Sequence, residues 1–209
     1  MFVTFEGVEG AGKSTQIART EAWLRGLGHA VLTTRQPGGC GLGLTLRSIL
    51  LDARNTHLDS TAELFLYLAD RAQHVAEVIR PALAEGAVVL CDRYHDSTVA
   101  YQGYGRGLDV EHLISLGEMA TGGLVPDVTL VLDLPVEQGL LRARSRNAGA
   151  GSSQSEGRFE ALEMAFHQRV RDGFLEMAAR EPGRFAVVDA AGGPDSVFRR
   201  VQAAIERRL

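Results

Sequence analysis

The stretch with the clearest chemical meaning is the glycine-rich segment GVEGAGKST, residues 7–15. It matches the pattern G-x-x-x-x-G-K-[ST], follows the apolar run FVTF and precedes a segment with helical character. In such a loop the glycines let backbone N–H groups converge on anionic oxygens, Lys13 reaches the outer phosphates, and Ser14 offers an oxygen to Mg²⁺. This segment, the P-loop, therefore predicts a site for a nucleoside triphosphate with Mg²⁺.

Lys13 is also unusual in the composition of the chain. Of the 22 basic residues, 21 are arginine and Lys13 is the one lysine. A compact ammonium on a flexible stem is not interchangeable with a planar guanidinium, so its retention at this position supports the phosphate-binding interpretation. The same bias makes an arginine elsewhere weak evidence of function.

The next acidic candidate is Asp92, at the end of the apolar run AVVLC. A carboxylate at the carboxyl end of a strand is well placed to hold Mg²⁺ directly or through water, although it could instead cap the following turn. A guanine-specific GTPase needs an N-K-x-D element, which a chain with Lys13 as its single lysine cannot contain. One acid followed by Arg93 also differs from the paired acids of a mechanical ATPase.

A kinase of small molecules needs a second site that faces the P-loop. Arg35, Arg47 and Arg93 can lie near the carboxyl edge of the sheet, where open α/β folds bind ligands, and could hold an acceptor phosphate. Tyr67 and Arg71 are four residues apart on a helical pattern and share a face, which places an aromatic plate beside a donor. Taken singly, Tyr67 could be a core residue and Arg71 a surface cation.

The elements that must position these residues follow a strand–helix alternation. Strands are predicted at 2–6, 30–34, 87–91, 128–134 and 185–189. Helices are predicted from Ser14 to near Gly26, from 59 to 85 with a break or kink at Pro81, from Pro135 to about Arg146, and at the C-terminus. This order predicts an α/β fold of the P-loop NTPase or nucleoside monophosphate kinase type, with a five-stranded parallel sheet flanked by helices on both faces.

The segment NAGAGSSQSEG, residues 147–157, differs from the rest because it is small, polar and rich in glycine. It cannot bury enough apolar surface to hold one conformation unaided. It lies between two helical patterns that carry arginines. It could be a short mobile lid or a plain flexible linker.

Length and composition bound the remaining possibilities. A chain of 209 residues with 45% hydrophobic residues is expected to form a single domain, residues 1–209. The net charge of −4 argues against a nucleic-acid polymer as partner. No apolar run approaches membrane-spanning length, and no leader pattern is evident, so we expect a cytoplasmic protein without membrane association. Cys40 and Cys91 form neither a disulfide framework nor a metal-binding set.

The chain resembles bacterial thymidylate kinases across most of its length. The motifs that carry the resemblance occur in the family's order: FEGVEGAGKSTQ, TRQPGG, LRSILL, YLADRAQH, DRYHDSTVAYQGYGRGL, PDVTLVLDLPVEQGLLRAR and GRFE. The resemblance implies transfer of the ATP γ-phosphate to dTMP, giving dTDP and ADP for dTTP synthesis. It also implies Mg²⁺ as cofactor and a homodimer.

The resemblance implies a role for individual residues. Tyr67 would stack on thymine, Arg71 would donate to the base, and Tyr101 would pack against the sugar and select deoxyribose. Glu9 would contact the 3′-hydroxyl. The residues expected to bind dTMP are Glu9, Arg35, Arg47, Tyr67, Arg71, Arg93, Thr98, Tyr101 and Gln102. Those expected to bind ATP are Gly7, Val8, Glu9, Gly10, Ala11, Gly12, Lys13, Ser14, Thr15 and Arg142, with Ser14 and Asp92 at the metal.

Catalysis is expected to come from Lys13 and Arg93 together with arginines of a lid at about 142–160. The P-loop of this chain carries no arginine, so the resemblance is to the lid-arginine branch of the family. Arg146 and Arg158 are favoured as catalytic clamps, while Arg142 could pack on adenine. No acid–base residue is required, because a phosphate acceptor is already an anionic nucleophile.

Three positions depart from the family pattern. Gln36 stands where a glutamate is common, Gly157 replaces an acid before the lid arginine, and Tyr67 replaces a phenylalanine. His74 and His167 are expected to be packing or surface residues. Two rival functions stay open at this point: a monophosphate kinase for uridylate or for pyrimidines more broadly, and a catalytically silent P-loop protein that reports bound nucleotide to a partner.

Overall fold

A five-stranded sheet forms the centre of the molecule in the computed structural model, which describes residues 1–150, 158–159 and 162–208. All of its strands are parallel, and their order is β2-β3-β1-β4-β5. The strands are β1 (Phe2–Glu6), β2 (Val31–Arg35), β3 (Val88–Asp92), β4 (Val128–Asp133) and β5 (Phe185–Asp189). The predicted five-stranded parallel sheet is confirmed, with β2 and β3 each shifted by one residue toward the C-terminus.

The three inner strands are buried on both faces, which explains why they read as nearly continuous apolar runs. Their side chains alternate between two apolar clusters. Val3 and Phe5 of β1 belong to one cluster with Leu90 of β3, whereas Phe2 of β1 and Val89 of β3 belong to the other. Because successive strand residues point to opposite faces, the two clusters are the helix-covered layers on either side of the sheet.

The helices of the first half connect these strands and supply their cover. They are α1 (Lys13–Gly26), α2 (Gly41–Leu51), α3 (Ser60–His74), α4 (Arg80–Ala84), α5 (His95–Thr98) and α6 (Val110–Thr121). Those of the second half are α7 (Val136–Ala150), α8 (Met164–Arg180) and α9 (Pro194–Glu206). Among the described residues, none of the helices combines the length and hydropathy needed to cross a membrane.

The long helical pattern at 59–85 begins as predicted but is interrupted earlier than predicted. Asp59 is the N-cap, and its carboxylate accepts hydrogen bonds from the backbone N–H groups of Thr61 and Ala62. Instead of breaking at Pro81, the chain widens into a π-helical turn at Val75–Ile79, and α4 begins just before the proline. Pro81 lacks a backbone N–H donor, and its ring crowds the preceding helical turn. The wider π-helical turn accommodates both effects on the N-terminal side of the proline.

The parallel strands bring the chemically active segments to one edge of the sheet. In the strand register Phe5 pairs with Asp92, Arg35 also pairs with Asp92, and Glu6 pairs with Val131. The P-loop leaves β1, the strand between β3 and β4, which is where open α/β sheets bind ligands. The P-loop, Asp92 and Arg35 are therefore neighbours by topology alone.

Candidate active site

The P-loop wraps around the start of α1, where Lys13 is the first helical residue. The Lys13 Nζ donates to the carbonyl oxygens of Gly7 and Val8 at 3.1 and 3.2 Å. Burial, aided by the positive charge of Arg93, lowers the pKa of Lys13 to about 8. The unpaired N–H groups at the start of α1 and this ammonium give the loop the positive character that phosphate binding requires.

The shape of the loop depends on close approach to α7. A Cβ atom at Gly10, where φ is 70°, would lie 2.0 Å from the carbonyl oxygen of Gly139. A Cβ atom at Gly139 would lie 2.4 Å from the carbonyl oxygen of Glu9. Two glycines, one on each element, therefore let the backbone of α7 lie directly against the loop.

A cleft of about 720 Å³ opens in front of the P-loop. Its walls come from the P-loop with the start of α1, the ends of β2 and β3, and the helices α2 and α7. The segment after β5 and the first turn of α9 complete it. Beyond residues 9–16, its lining residues are Arg35, Gln36, Arg47, Asp92, Arg93, Arg142, Ala190, Gly192, Pro194 and Val197. The phosphate loop and the cations predicted for an acceptor phosphate thus face the same space.

Arg93 folds back from the end of β3 onto the P-loop. Its backbone has φ of 67°, a left-handed conformation that non-glycine residues seldom adopt, and its N–H donates to the carbonyl oxygen of Phe5 at 3.0 Å. The guanidinium donates to the carbonyl oxygen of Gly7 at 3.1 Å and to Oε1 of Glu9 at 3.2 Å. Its carbon lies 4.9 Å from the ring centre of Tyr101. The strained backbone aims the cation across the mouth of the loop.

Glu9 is the acidic counterpart within the loop. Its Oε1 accepts a hydrogen bond from the Tyr101 hydroxyl at 2.6 Å, and its Oε2 lies 3.3 Å from Nδ1 of His167. Burial by itself raises the pKa of Glu9, but the contact with His167 and the charges of Arg93 and Lys13 outweigh it and hold that pKa well below its usual range. Glu9 is therefore an anion at neutral pH.

Asp92 and Ser14 fit the requirements of a magnesium site. The Oδ1 atom of Asp92 is buried at the cleft and lacks a hydrogen-bond partner among the described residues, and Ser14 is exposed on the adjoining first turn of α1. Magnesium is commonly bound by one or two protein oxygens together with water and phosphate oxygens. The described residues contain no group of three or more metal-ligating side chains.

Arg71 lies at the centre of a buried polar network beside the cleft. Its side chain is 2% exposed, which excludes the surface-cation interpretation. Nε donates to Oε1 of Gln36 at 2.8 Å, Nη1 donates to Oγ1 of Thr98 at 2.9 Å, and Nη2 donates to the carbonyl oxygen of Tyr94 at 3.0 Å. The predicted base contacts Arg71 and Thr98 are thus joined to each other by a direct hydrogen bond.

Gln36, where a glutamate is common in the resembled family, has a defined role in this network. Its Nε2 lies 2.9 Å from Nδ1 of His74, and the other ring nitrogen of His74 lies 2.7 Å from Oγ1 of Thr34. Burial and the charge of Arg71 lower the pKa of His74 to about 4, so the ring is neutral. An amide N–H can only donate, and therefore Nδ1 of His74 accepts and its Nε2 carries the proton. The uncharged Gln36 matches this neutral partner.

The family of the chain is decided by comparison with known proteins. The sequence model of the family described as thymidylate kinase matches residues 5–201. The chain belongs to the thymidylate kinase family. It is 63% identical to the thymidylate kinase of Solidesulfovibrio magneticus over 209 residues, covering 100% of both chains. It is also 63% identical to the thymidylate kinase of Nitratidesulfovibrio vulgaris (strain Miyazaki F), covering 100% of this chain and 97% of the relative.

A solved thymidylate kinase structure shares the fold. The crystal structure of thymidylate kinase from Ehrlichia chaffeensis superimposes with a TM-score of 0.79 at 31% sequence identity. The alignment covers 98% of each chain. The nucleoside monophosphate kinase fold predicted from the sequence is therefore confirmed.

The remaining predicted thymidine contacts lie behind the cleft rather than on its described lining. Tyr67 is half-buried on α3, one turn before Arg71, and Tyr101 is buried beneath the guanidinium of Arg93. Gln102 is 1% exposed, and its Nε2 donates to Oε1 of Glu63 at 2.8 Å. Tyr101 and Gln102 are held by hydrogen bonds to Glu9 and Glu63, and the roles of all three side chains toward dTMP stay predictions.

The arginines of the predicted lid occupy different environments. Arg142 and Arg144 are exposed on α7, and Arg142 lines the cleft. The helix extends past the predicted end at Arg146 to Ala150. The side chain of Arg146, most of the segment 147–157 with Gly157, and Glu160 lie outside what the structure describes.

Arg158, predicted to be a catalytic clamp, does not lie on the described lining of the cleft. It is 6% exposed, and its Nη1 lies 2.6 Å from Oε2 of Glu63. The same guanidinium donates to the carbonyl oxygens of Asn55 and Leu50 at 3.0 and 3.2 Å. In this conformation Arg158 is thus bound to Glu63 of α3 and to the end of α2 with the turn that follows it, and the predicted catalytic role requires it to exchange these partners.

Several residues of the site had no signal in the sequence. Glu63 is fully buried and binds Gln102, Arg106 and Arg158 at once. His167, expected to be a packing or surface residue, is fully buried but faces Glu9. Both assignments depend on contacts between distant elements, which no local pattern encodes. The lining segment after β5 could have been found, because the carboxyl ends of all parallel strands meet at one edge.

Proposed function

We infer that the protein transfers the γ-phosphate of ATP to dTMP, giving dTDP and ADP. The observation that carries this inference is the shared cleft, in which the P-loop and the cations Arg35, Arg47 and Arg93 face each other. Phosphoryl transfer needs donor and acceptor phosphates in line, with positive charge around both. Membership of the thymidylate kinase family supplies the identity of the acceptor.

ATP is proposed to bind along the P-loop side of the cleft. Backbone N–H groups of residues 7–15 and the Lys13 ammonium would hold the β- and γ-phosphates. Arg142 and Pro194 line the end of the cleft farther along the sheet edge, where adenine would lie. An exposed guanidinium there can stack on a flat base.

Mg²⁺ is proposed to be held by Ser14 and Asp92. The support is the buried oxygen of Asp92 without a hydrogen-bond partner, which is otherwise an unfavourable arrangement. When bound, the ion neutralises charge on the phosphate oxygens. Two cations of the chain would neutralise the remaining charge. Lys13 would bind the phosphates of the donor ATP, and Arg93, above the P-loop, would lie between the donor and acceptor phosphates.

The dTMP pocket is proposed to lie between α3 and the π-helical segment Val99–Gly105 that follows α5. Tyr67 would stack on thymine while Arg71 and Thr98 donate to its edge. Tyr101 and Gln102 would line the sugar and base. Support comes from the pre-formed bond between Arg71 and Thr98, which fixes both groups before substrate arrives.

We also propose that residues 142–160 act as a lid within a single domain, with Arg146 and Arg158 as charge-stabilising clamps. Arg142 lies at the cleft, and Arg158 is bound through Glu63 to the acceptor side, so the described ends of the segment touch both halves of the site. An arginine that arrives on closure stabilises charge that develops only in the transition state.

A homodimer is proposed through α3 and α6, which pack against each other. Phe65 of α3 is 56% exposed and Met119 of α6 is 79% exposed. Ala62, Ala69 and Ala72 continue the exposed face of α3 around Phe65. An apolar helix face of this kind, without charges, is typical of a surface that pairs with a second copy.

A cytoplasmic location is proposed for the enzyme. Cys40 and Cys91 are both unpaired thiols, which is the usual state of cysteine in a reducing compartment.

The decisive experiment is an ADP-release assay with MgATP and a panel of dTMP, dUMP, UMP, CMP, dGMP and AMP, with the product identified by mass. Turnover confined mainly to dTMP supports the proposed function. Preferred turnover of UMP or of several pyrimidines would replace the thymidine pocket with a broader one. ATP binding without transfer to any acceptor would favour a nucleotide-reporting role instead.

A further inference from the structure

His167 is a buried polar residue that the proposed mechanism does not use. It lies on α8, its side chain is 0% exposed, and its Nδ1 is 3.3 Å from Oε2 of Glu9. The distance between the two atoms is that of an ion pair, but they are not aligned as in a full hydrogen bond. Among the described residues, neither ring nitrogen of His167 has a hydrogen-bond partner.

Glu9, which faces His167, also has a side-chain atom without a hydrogen-bond partner in the described part of the chain. Its Oε2 is also buried without a hydrogen-bond partner among the described residues. Its other oxygen, Oε1, accepts from the Tyr101 hydroxyl at 2.6 Å and from Arg93 at 3.2 Å. A nitrogen that can donate thus faces an oxygen that needs a donor, at a buried place where unpaired polar atoms are unfavourable.

The ring of His167 is held from its other side by aromatic packing. Its centroid lies 5.4 Å from that of Phe166 in an edge-on arrangement, and Phe166 in turn packs on Tyr101 at 6.1 Å. The α8 helix therefore touches Glu9 and Tyr101 together. The imidazole has little freedom to turn away from the carboxylate.

We propose that His167 is a positioning residue whose Nδ1–H holds Oε2 of Glu9 and thereby fixes Oε1 against Arg93 and Tyr101. The proposal rests on the proposed function, because it makes α8 a determinant of how the acceptor side of the cleft is arranged. Arg93 lines that cleft, and Glu9 does too. A carboxylate fixed through one oxygen presents the other in a single direction, which is how groups outside the contact with substrate tune those that touch it.

The test compares three substitutions of His167. In His167→Asn the amide nitrogen is bonded to Cγ, as Nδ1 is, so the donor is retained. In His167→Leu the volume is similar and the donor is lost, and in His167→Gln the donor moves outward by one atom. We expect kcat/KM for dTMP to fall about tenfold or more in the Leu and Gln variants and to stay within about threefold in the Asn variant.

The loss of activity should concern the use of dTMP rather than the use of ATP. KM for ATP should change by less than about twofold in all three variants, because the phosphate loop itself is intact. In a Glu9→Gln background, His167→Leu should add little further loss, since the partner has already been changed. Equal activities of the Asn and Leu variants, or fully additive losses with Glu9→Gln, would overturn the proposal.

A measurement on the unaltered protein keeps the proposal testable if a variant fails to fold. In ¹⁵N-labelled protein, through-bond spectra report which imidazole nitrogen carries the proton. We expect Nδ1 of His167 to be protonated, and a neutral ring with its proton on Nε2 would overturn the proposal. This result does not depend on substrate, whereas failure of the wild-type protein to phosphorylate dTMP would count against the proposed function alone.

Discussion

At the scale of single residues, the site is built from ionisable groups whose protonation is set by burial and by each other. Two cations, Lys13 and Arg93, lie near the anion Glu9, so that each charged group faces one of opposite sign. Burial of Arg93 by itself lowers its pKa, but the neighbouring Tyr101 and Glu9 raise it above the ordinary value. Arg93 therefore remains a cation at every pH at which the protein works, and Lys13 is the member of the set that can lose its charge.

Replacement of Lys13 tests the phosphate cradle. In Lys13→Ala the loop keeps its glycines, but the donor phosphates lose their nearest cation. We expect kcat to fall by about 10²- to 10³-fold, as when one preorganised electrostatic group is removed from an active site. Circular dichroism should confirm the fold, and turnover within a few fold of wild type in a folded variant would rule out the role.

The pH dependence of ATP use tests the state of the same ammonium. Because its pKa is lowered to about 8, the free enzyme loses this charge as the pH rises through that value. We expect kcat/KM for MgATP to decline above about pH 8, since this ratio reports groups of the free enzyme. Lys13→Arg stays charged throughout and serves as the control. A flat wild-type profile up to pH 10 would contradict the assignment.

Glu6 offers a stability prediction at the base of the loop. Its carboxylate accepts from the Tyr94 N–H at 2.7 Å and from the Ser97 hydroxyl at 2.5 Å, while burial and the charge of Asp96 raise its pKa to about 7. The folded protein holds this proton more tightly than the unfolded chain does. The stabilisation is therefore complete below the ordinary glutamate pKa of 4.5 and is lost as the pH rises through 7.

Glu6→Gln removes this titration and should reveal its size. Relative to the Gln variant, the free energy of unfolding of the wild type should fall by about 3 kcal/mol between pH 4.5 and pH 7. Urea unfolding at several pH values measures the difference. A difference that stays constant over this range would show that Glu6 titrates normally.

At this scale, residues can be placed from the sequence where a local motif defines their chemistry. The P-loop glycines, Lys13 and Asp92 could be placed because the motif and its flanking strands fix them together. The left-handed backbone of Arg93 could not be predicted, because an arginine in the sequence gives no local sign of a positive φ. The pairing of Glu63 with Arg158 was likewise beyond prediction, because it joins residues far apart in the chain.

At the scale of elements, the phosphate-binding loop depends on direct backbone contact with α7. The backbones of Gly10 and Gly139 lie so close that neither position has room for a side chain. The sequence predicted the loop and the helix separately but not their contact, which depends on how the chain returns across the sheet.

Gly139→Ala tests this contact without touching a predicted ligand group. The added methyl group would lie 2.4 Å from the carbonyl oxygen of Glu9, so α7 or the loop must shift. We expect a loss of roughly tenfold in kcat/KM for ATP, as small displacements of positioning groups are costly to rate. Steady-state kinetics with varied ATP give the value.

Gly26→Ala is the matched control for that change. Gly26 is at the end of α1, with nothing within 4 Å of the position of an added Cβ. Alanine there should leave kinetics unchanged and raise stability by about 0.5–1 kcal/mol. Equal effects of the two glycine substitutions on ATP use would contradict a specific contact between α7 and the loop.

At the scale of the whole molecule, the sheet order and the parallel strands explain why the P-loop, Arg35, Asp92 and Arg93 meet at one edge of the sheet. The sequence predicted this arrangement because strand and helix periods alternate and parallel crossovers are right-handed. It did not predict the two π-helical turns at Val75–Ile79 and Val99–Gly105, which follow α3 and α5. Pro81 marks a break near the first of these turns, but the sequence does not show that the break takes the form of a π-helical turn.

The proposed homodimer gives a prediction at this scale. Phe65→Glu places a charge in the middle of the exposed face of α3 and should weaken association by about 100-fold or more, as buried charges at an interface centre do. Sedimentation velocity over a range of concentrations measures this. Leu141→Glu, at a position 68% exposed on α7, should leave association unchanged. A wild-type protein that sediments as a monomer at all concentrations would reject the dimer.

The single lysine of the molecule has a practical consequence for anyone who labels it. Lys13 is the only side-chain amine, it is 8% exposed, and it lies at the cleft with a pKa of about 8. A reagent selective for amines is therefore directed to Lys13 and the amino terminus, and whole-protein mass spectra resolve each modification as a single addition. Bound nucleotide would cover Lys13 and protect it from the reagent. The fraction of protein modified at Lys13 would therefore report nucleotide occupancy without any added label or chromophore.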